Sequence, residues 1–322
     1  PAFRLAAEGG RPVFIEAGGI VPRTGEVSLF GSRRDARFAQ VFELYSGLES
    51  STQQATLSLN GMLLPRRLSF QASYTLTRSR DEASFAGGSA QQGFAGTPTR
   101  GDPNRLEWAP SDMDRRHGLV GIVGLQLGPA AELALVGRAS SGAPFTPLVG
   151  GDVNGDGARN DAAFVLDPAA TTDAALAAAM RRVLDTAPGR VRDCLRAQLG
   201  ELAARNSCRG PWTHSLDLRA TLRPQLARLG LGRRLSLSAD ALNLGAGLDR
   251  LLHGAGDLRG WGQSRGRPDD VLLYPRGFDA ATRQFRYEVN ERFGQDRARR
   301  QAFGSPFNLQ LSARVALGAQ PG

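Results

Sequence analysis

The sequence predicts an all-β protein: an antiparallel transmembrane β-barrel, partial at about seven membrane strands, with long extracellular loops and a small helical insert. Three observations predict it. Several stretches alternate apolar and polar residues almost without error, and a strand points successive side chains to opposite faces. Each stretch is about long enough to cross a bilayer as a tilted strand. Short turns and long connections then follow one another in strict alternation, which is the asymmetry of outer-membrane barrels. No apolar run is long enough for a transmembrane helix. A barrel needs no such run, because each strand shows lipid only every second residue.

Taken in order, residues 1–50 read as an extracellular loop region of a truncated barrel, and 51–317 as its strands and loops. The chain starts at Pro1 with neither an initiator Met nor a signal peptide, and so is expected to be a fragment or a processed product. The first pair is Gln54–Met62 and Leu68–Arg78, joined by Leu63–Arg67, where Pro65 breaks the pattern. In its second strand Leu68, Phe70, Ala72, Tyr74 and Leu76 oppose Ser69, Gln71, Ser73, Thr75 and Thr77. The next pair is Leu119–Leu127 and Leu133–Arg138, joined through Gly128, Pro129 and Ala130. Both faces of Leu119–Leu127 are apolar or small, so a buried sandwich strand fits it equally, and its hairpin position favours the barrel. Ser215–Arg223 and Leu235–Leu244 form the third pair, turning through Pro224, Gly230 and Gly232. Phe307–Leu317 closes the series, and 318–322 is a tail.

The stretches from Arg78 to Leu119, Arg138 to Ser215 and Leu244 to Phe307 are long for compact soluble domains. Within the second, residues 172–206 read as helical. Thr172 and Asp173 suit an N-cap, Ala187-Pro188-Gly189 breaks the helix, and a second helix is expected through Val191–Ala204. The pair decorates an extracellular loop or serves as a substrate lid. In the last, at 245–306, Val271–Tyr274 and Gln284–Val289 flank Pro275–Arg283 as a hairpin. Cys194 and Cys208 lie in one polar segment without a CxxC or a nearby His, which argues against zinc. Their expected state is a local disulfide in an oxidising compartment.

Forty Arg against 31 Asp and Glu give a net charge of +9, and there is no Lys. The Arg residues are scattered singly and in pairs, without interleaved aromatics, which argues against nucleic acid as a partner. His117, His214 and His253 lie far apart with no nucleophile motif or paired carboxylate beside them, so no enzymatic activity is expected. Trp108, Trp212 and Trp261 fall near strand ends and loops, as an interfacial girdle requires. Asp152, Asn154, Asp156, Gly157, Asn160 and Asp161 place oxygen ligands around a turn that glycine permits, the pattern of a calcium loop. Ala163 stands where an EF-hand needs Glu, and the same residues suit a run of Asx-turns. Calcium is the one cofactor this pattern admits. On the polar strand faces, Asp217, Arg219, Arg223, Asp240 and Arg314 either line a lumen that attracts anions or pair with one another.

The long connections also carry a resemblance. Arg105–Val120 (RLEWAPSDMDRRHGLV), Ser141–Asp161 (SGAPFTPLVGGDVNGDGARND), Ser238–Leu244 (SADALNL) and Phe303–Ala316 (FGSPFNLQLSARVA) resemble, in the same order, segments of TonB-dependent outer-membrane receptors of the Oar-like type. The resemblance implies a plug domain inside a barrel of about 22 strands, energised by TonB, in the outer membrane of a Gram-negative cell. It implies ligand uptake, with outer-membrane lipid, TonB and a small ligand or peptide as partners. The chain has room for only about seven strands, shows no candidate plug or TonB box, and lacks a terminal aromatic. The expected object is therefore the C-terminal part of such a receptor. The competing reading is a secreted, soluble β-sandwich adhesion or glycan-binding module stabilised by calcium, in which the apolar strand faces meet a second sheet.

Overall fold

Seven long antiparallel strands form one continuous sheet. In the computed structural model they are β1 (Ser50–Leu63), β2 (Leu68–Asp81), β3 (His117–Gln126), β4 (Ala131–Ser140), β5 (Thr213–Leu222), β6 (Leu235–Leu242) and β7 (Asn308–Val315). The structure describes residues 1–28, 33, 35, 37–38, 41–43, 46–65, 67–84, 89–224, 235–257, 259, 261–262, 265–298 and 307–316. Each strand pairs with its neighbours in chain order, and β1 and β7 are the two edges of an open sheet. The strands are the expected ones. The sequence placed the last as far as Leu317, which with the tail at 318–322 lies outside the described residues, as do Gly230 and Gly232 of the third turn.

Register decides which face is which. Leu57 pairs with Tyr74 and Leu59 with Ala72, while Phe70 pairs with Val123 and Tyr74 with Leu119. The same row continues through Val123 with Leu135, Leu218 with Leu135, Leu218 with Ala241 and Ala239 with Leu311. Because side chains alternate with period two, these residues make one apolar surface across all seven strands. Among the described residues no second sheet covers it: Leu57 is 74% exposed and Leu311 75%. Gly61 leaves room for the ring of Phe70 on that surface, since a Cβ there would meet the ring at 2.6 Å. The ambiguity of the third strand is resolved by pairing. Leu119, Gly121, Val123 and Leu125 join the apolar surface, and Val120 and Ile122 take the other face.

The connections differ at the two ends. Tight turns join β1 to β2, where Leu64 adopts φ 51°, and β3 to β4, where Gly128 adopts φ 79°. At the opposite end the long connections pack together into a lobe with its own core. That core draws Phe3, Leu5, Val13 and Ile15 from the N-terminal segment, Val149 to Cys208 from the β4–β5 connection, and Leu272 to Phe293 from the β6–β7 connection. The N-terminal segment begins with a small hairpin, Phe3–Leu5 against Arg11–Val13.

Helices α1 (Ala174–Thr186) and α2 (Gly189–Arg196) cover one side of the lobe. The Asp173 carboxylate caps α1, accepting from the amides of Ala175 and Leu176 at 2.8 and 3.1 Å. Met180 and Val183 of α1 and Val191 and Leu195 of α2 are buried. The second helix stops at Arg196, short of the expected Ala204. Gly200 turns the chain at φ 77°, and the Ala203 amide then bonds to Ala163 O, making this stretch an extended partner of the lobe. Cys194 and Cys208 form a disulfide with a Cα–Cα distance of 5.4 Å, fastening α2 to the short strand Cys208–Arg209 that pairs with Pro144–Phe145 ahead of β5. The expected hairpin is present, with Val271–Asp279 paired to Gln284–Val289. Its turn is tighter than the sequence suggests, because a bulge between Pro275 and Gly277 lets the chain extend past the proline. A third helix, α3 (Leu244–His253), follows β6 directly.

Candidate functional site

The polar face of the sheet lies opposite the apolar surface. There Arg138 donates to Asp217 at 2.7 Å, Arg219 pairs with Asp240, and Arg223 reaches Glu132 at 3.3 Å. Four of the five residues singled out from sequence are thus engaged in ion pairs between adjacent strands, and Arg314 stands in register with Ser236. Thr56 and Thr75 add a hydroxyl contact at 3.1 Å, and Ser140 and Thr213 another at 2.8 Å. A wet, charge-paired surface of this kind suits the inside of a barrel.

The lobe holds a second polar centre, which sequence reasoning missed. Arg11 is fully buried and donates to Glu8 at 2.8 Å and to Asp161 at 3.3 Å. Glu8 in turn accepts from the Tyr287 hydroxyl at 2.7 Å. The network therefore ties together the N-terminal segment, the Asp/Asn loop and the 271–289 hairpin. Arg205 does the same between lobe and wall, donating to the Asp81 carboxylate at 2.7 Å at the end of β2. Asn206, held at φ 57°, donates beside it to Pro110 O and to Asp112 at 2.8 and 2.6 Å. No sequence pattern marks either arginine as buried, since Asp161 for Arg11 and Asp81 for Arg205 lie far along the chain and only Glu8 is near.

The Asp/Asn loop is closed largely by its own backbone. Asp152 accepts from the amides of Gly155 and Gly157 at 2.6 and 2.9 Å. Asp156 accepts from the Ala158 amide at 2.8 Å and from the Asn154 side chain at 2.9 Å. Asp161 accepts from the amides of Val153 and Asn154 in addition to Arg11. The Asn160 amide group donates away from the loop, to Phe94 O and Thr97 O at 2.8 and 2.7 Å. Among the described residues no group of three or more His, Cys, Asp or Glu is placed to hold a metal ion.

Burial raises the Asp152 carboxyl to about 6, helped by the charge of Asp156 and opposed by the loop amides. Burial likewise pushes Asp161 up to about 7, against the pull of the Arg11 guanidinium. Both values exceed the unfolded value of about 3.9, so the folded lobe holds these protons more tightly than the unfolded chain. The linked stability is fully present below about pH 4 and is lost as pH rises through 6 to 7. The lobe is therefore expected to resist thermal unfolding better at pH 5 than at pH 8, by on the order of 1–3 kcal/mol. Thermal melts of the wild type and of Asp161→Asn at the two pH values check this, since the variant should lose most of the difference.

Beside this loop lies a cleft of about 660 Å³, lined in part by Arg23, Glu26, Asp152, Arg159, Tyr274 and Arg276. Arg276 sits over the Tyr274 ring at 5.5 Å and pairs with Glu288 at 2.6 Å. At the rim of the wall, Tyr74 and His117 stack at 6.0 Å, and His117 stacks in turn on Trp212 at 6.0 Å. Tyr74 belongs to the apolar surface, so this row marks an interfacial belt as expected for Trp212. Trp108 packs under Arg80 and Trp261 meets the edge of His253.

An uncovered apolar surface, a charge-paired opposite face, an aromatic row and one-sided long connections together define an integral outer-membrane β-barrel protein. The family model for the outer membrane beta barrel domain matches residues 30–245, more than half of the chain, and the chain belongs to that family. Its place is accordingly the outer membrane, with lipid around the wall. No curated protein and no solved structure matches it.

Proposed function

We propose that this chain is the C-terminal barrel portion of a TonB-dependent, Oar-like receptor that takes part in ligand uptake across the outer membrane. The observation that carries the reading is the open seven-stranded wall whose long connections build one packed outward lobe. The four segments that resemble such receptors support it, three of them lying at strand ends or within the lobe. Among the described residues the two edges of the sheet are unpaired, and in this reading further strands of the parent complete the barrel, because lipid cannot satisfy exposed backbone groups. In this reading the cleft around Tyr274 is where a small ligand or peptide first meets the receptor, and no bond is made or broken. The sandwich alternative requires a second sheet over Leu57, Leu218 and Leu311, and the described residues supply none.

The Asp/Asn loop then acts as architecture, its carboxylates engaged by amides and Arg11. Millimolar Ca²⁺ titrated into the full-length protein is expected to give no saturable heat, whereas saturable uptake would reassign the loop as a cation site. For the receptor reading, the full-length parent in outer-membrane vesicles is expected to bind the purified periplasmic domain of TonB saturably. A folded barrel that does not bind it would remove the TonB assignment and leave the barrel assignment standing.

A further inference from the structure

Helix α3 is amphipathic in the wrong sense for a helix docked on a protein core. With 3.6 residues per turn, Leu244, Leu248, Leu251 and Leu252 fall on one face, and Ala246, Asp249 and His253 on the opposite one. The buried residues are Ala246 and Asp249. The leucines point away from them: Leu251 is 79% exposed and Leu252 65%. Two hydrogen bonds from outside the helix fix this orientation on the inner side, and an i,i+4 contact supports them. Asp249 accepts from the amides of Arg259 and Trp261, each at 2.9 Å, and lies 2.9 Å from His253 Nδ1.

The position of the helix says what the leucines meet. The Gly262 amide donates to His214 Nε2 at 3.2 Å, and Gly247 lies so close to the Phe307 ring that a Cβ would meet it at 2.7 Å. His214 pairs with Ala139 in the row that also holds Leu119 and Tyr74. Phe307 shares the parity of Leu309 and Leu311 in the last strand. Both anchors therefore lie on the lipid-facing surface, level with the aromatic row of Tyr74, His117 and Trp212. Gly262 is bound to this arrangement, because its φ of 71° and the nearby Asn243 oxygen leave no room for a side chain.

We propose that α3 is a lateral membrane anchor that lies in the outward leaflet, with Leu248, Leu251 and Leu252 in the acyl region and Arg250 toward the headgroups. Its leucine face continues the lipid-contacting surface of the wall, and continuity with that interface favours lipid over a second copy of the chain. The anchor extends the greasy belt sideways beyond the width of the strands themselves.

The test uses the full-length protein in phosphatidylethanolamine/phosphatidylglycerol vesicles, with a nitroxide on Leu251→Cys and, separately, on Ala280→Cys at the exposed tip of the lobe hairpin. The native cysteines are joined to each other and do not take the label. The Leu251 label is expected to favour collisions with oxygen over a water-soluble nickel chelate by about threefold or more relative to the Ala280 label. Leu252→Cys provides the same readout should the first variant fold poorly. Equal nickel access at both sites would overturn the proposal. Dipolar broadening between labels on neighbouring copies would overturn it too, by putting a second chain on the leucines.

Discussion

Leu135→Arg is expected to prevent stable insertion of the wall. Leu135 sits in the middle of β4 and pairs with Val123 on one side and Leu218 on the other, so its side chain emerges near the centre of the lipid-facing surface. A guanidinium at the bilayer midplane of a barrel costs about 2–4 kcal/mol, which is a large share of what holds such a wall together. The matched control is Thr221→Arg, one strand away on the opposite face, where the new charge would lie in register with Glu132. Heat-modifiable mobility of the full-length protein in outer-membrane preparations separates the two. The first variant should lose the folded band and the second should keep it. Equal behaviour of both would mean that the two faces are wrongly assigned.

Arg11→Ala is expected to loosen the lobe while leaving the wall intact. The guanidinium is fully buried among Glu8, Asp161 and the Ala162 carbonyl. Its removal strands two carboxylates in the interior. Breaking a buried ion pair from one side costs about 3–5 kcal/mol, since the partner left behind keeps its desolvation penalty. Protonation of Asp161 can relieve part of that cost, so the defect should be milder at pH 5 than at pH 8. Arg11→Lys should recover little, because a single ammonium cannot reproduce a planar fork that serves three acceptors. Limited trypsin digestion checks the expectation: cleavage after Arg23, in the segment that Arg11 holds down, should accelerate while wall strands remain protected. Unchanged cleavage kinetics would show that the N-terminal segment is held by its apolar contacts alone.

The wall was legible because lipid and water impose opposite demands on alternate residues, and Leu68 to Thr77 record both demands directly. Leu119–Leu127 was ambiguous for a local reason: Val120 and Ile122 are apolar on the face where a barrel usually shows polar groups. Only its pairing with β2 and β4 assigns the faces. The charge pairs of the inner face were partly legible. Asp217, Arg219 and Asp240 could be placed on polar faces by parity, but Arg138 and Glu132 became visible as partners only through cross-strand register. The helical pair, the disulfide and the 271–289 hairpin of the lobe were legible as local patterns, but the core they share was not. Phe3, Leu5, Val13 and Ile15 alternate over segments too short to read as strands, and their packing partners come from connections far along the chain. Arg11 is one of forty arginines, and nothing in its neighbours except Glu8 hints that it is buried.

The lobe core is assembled from three pieces of chain, one before β1, one between β4 and β5, and one between β6 and β7. Each piece arrives on the outward side only when the strands beside it have been threaded through the bilayer. What each part of the lobe depends on follows from this connectivity. The disulfide and the helical pair lie within one connection, 14 residues apart at the cysteines, and need no other connection to form. The Glu8–Arg11–Asp161–Tyr287 network, by contrast, needs all three pieces on the same side of the wall. Closure of the lobe thereby reports on the whole wall: a strand out of place withholds one of the three pieces and leaves the core they share incomplete.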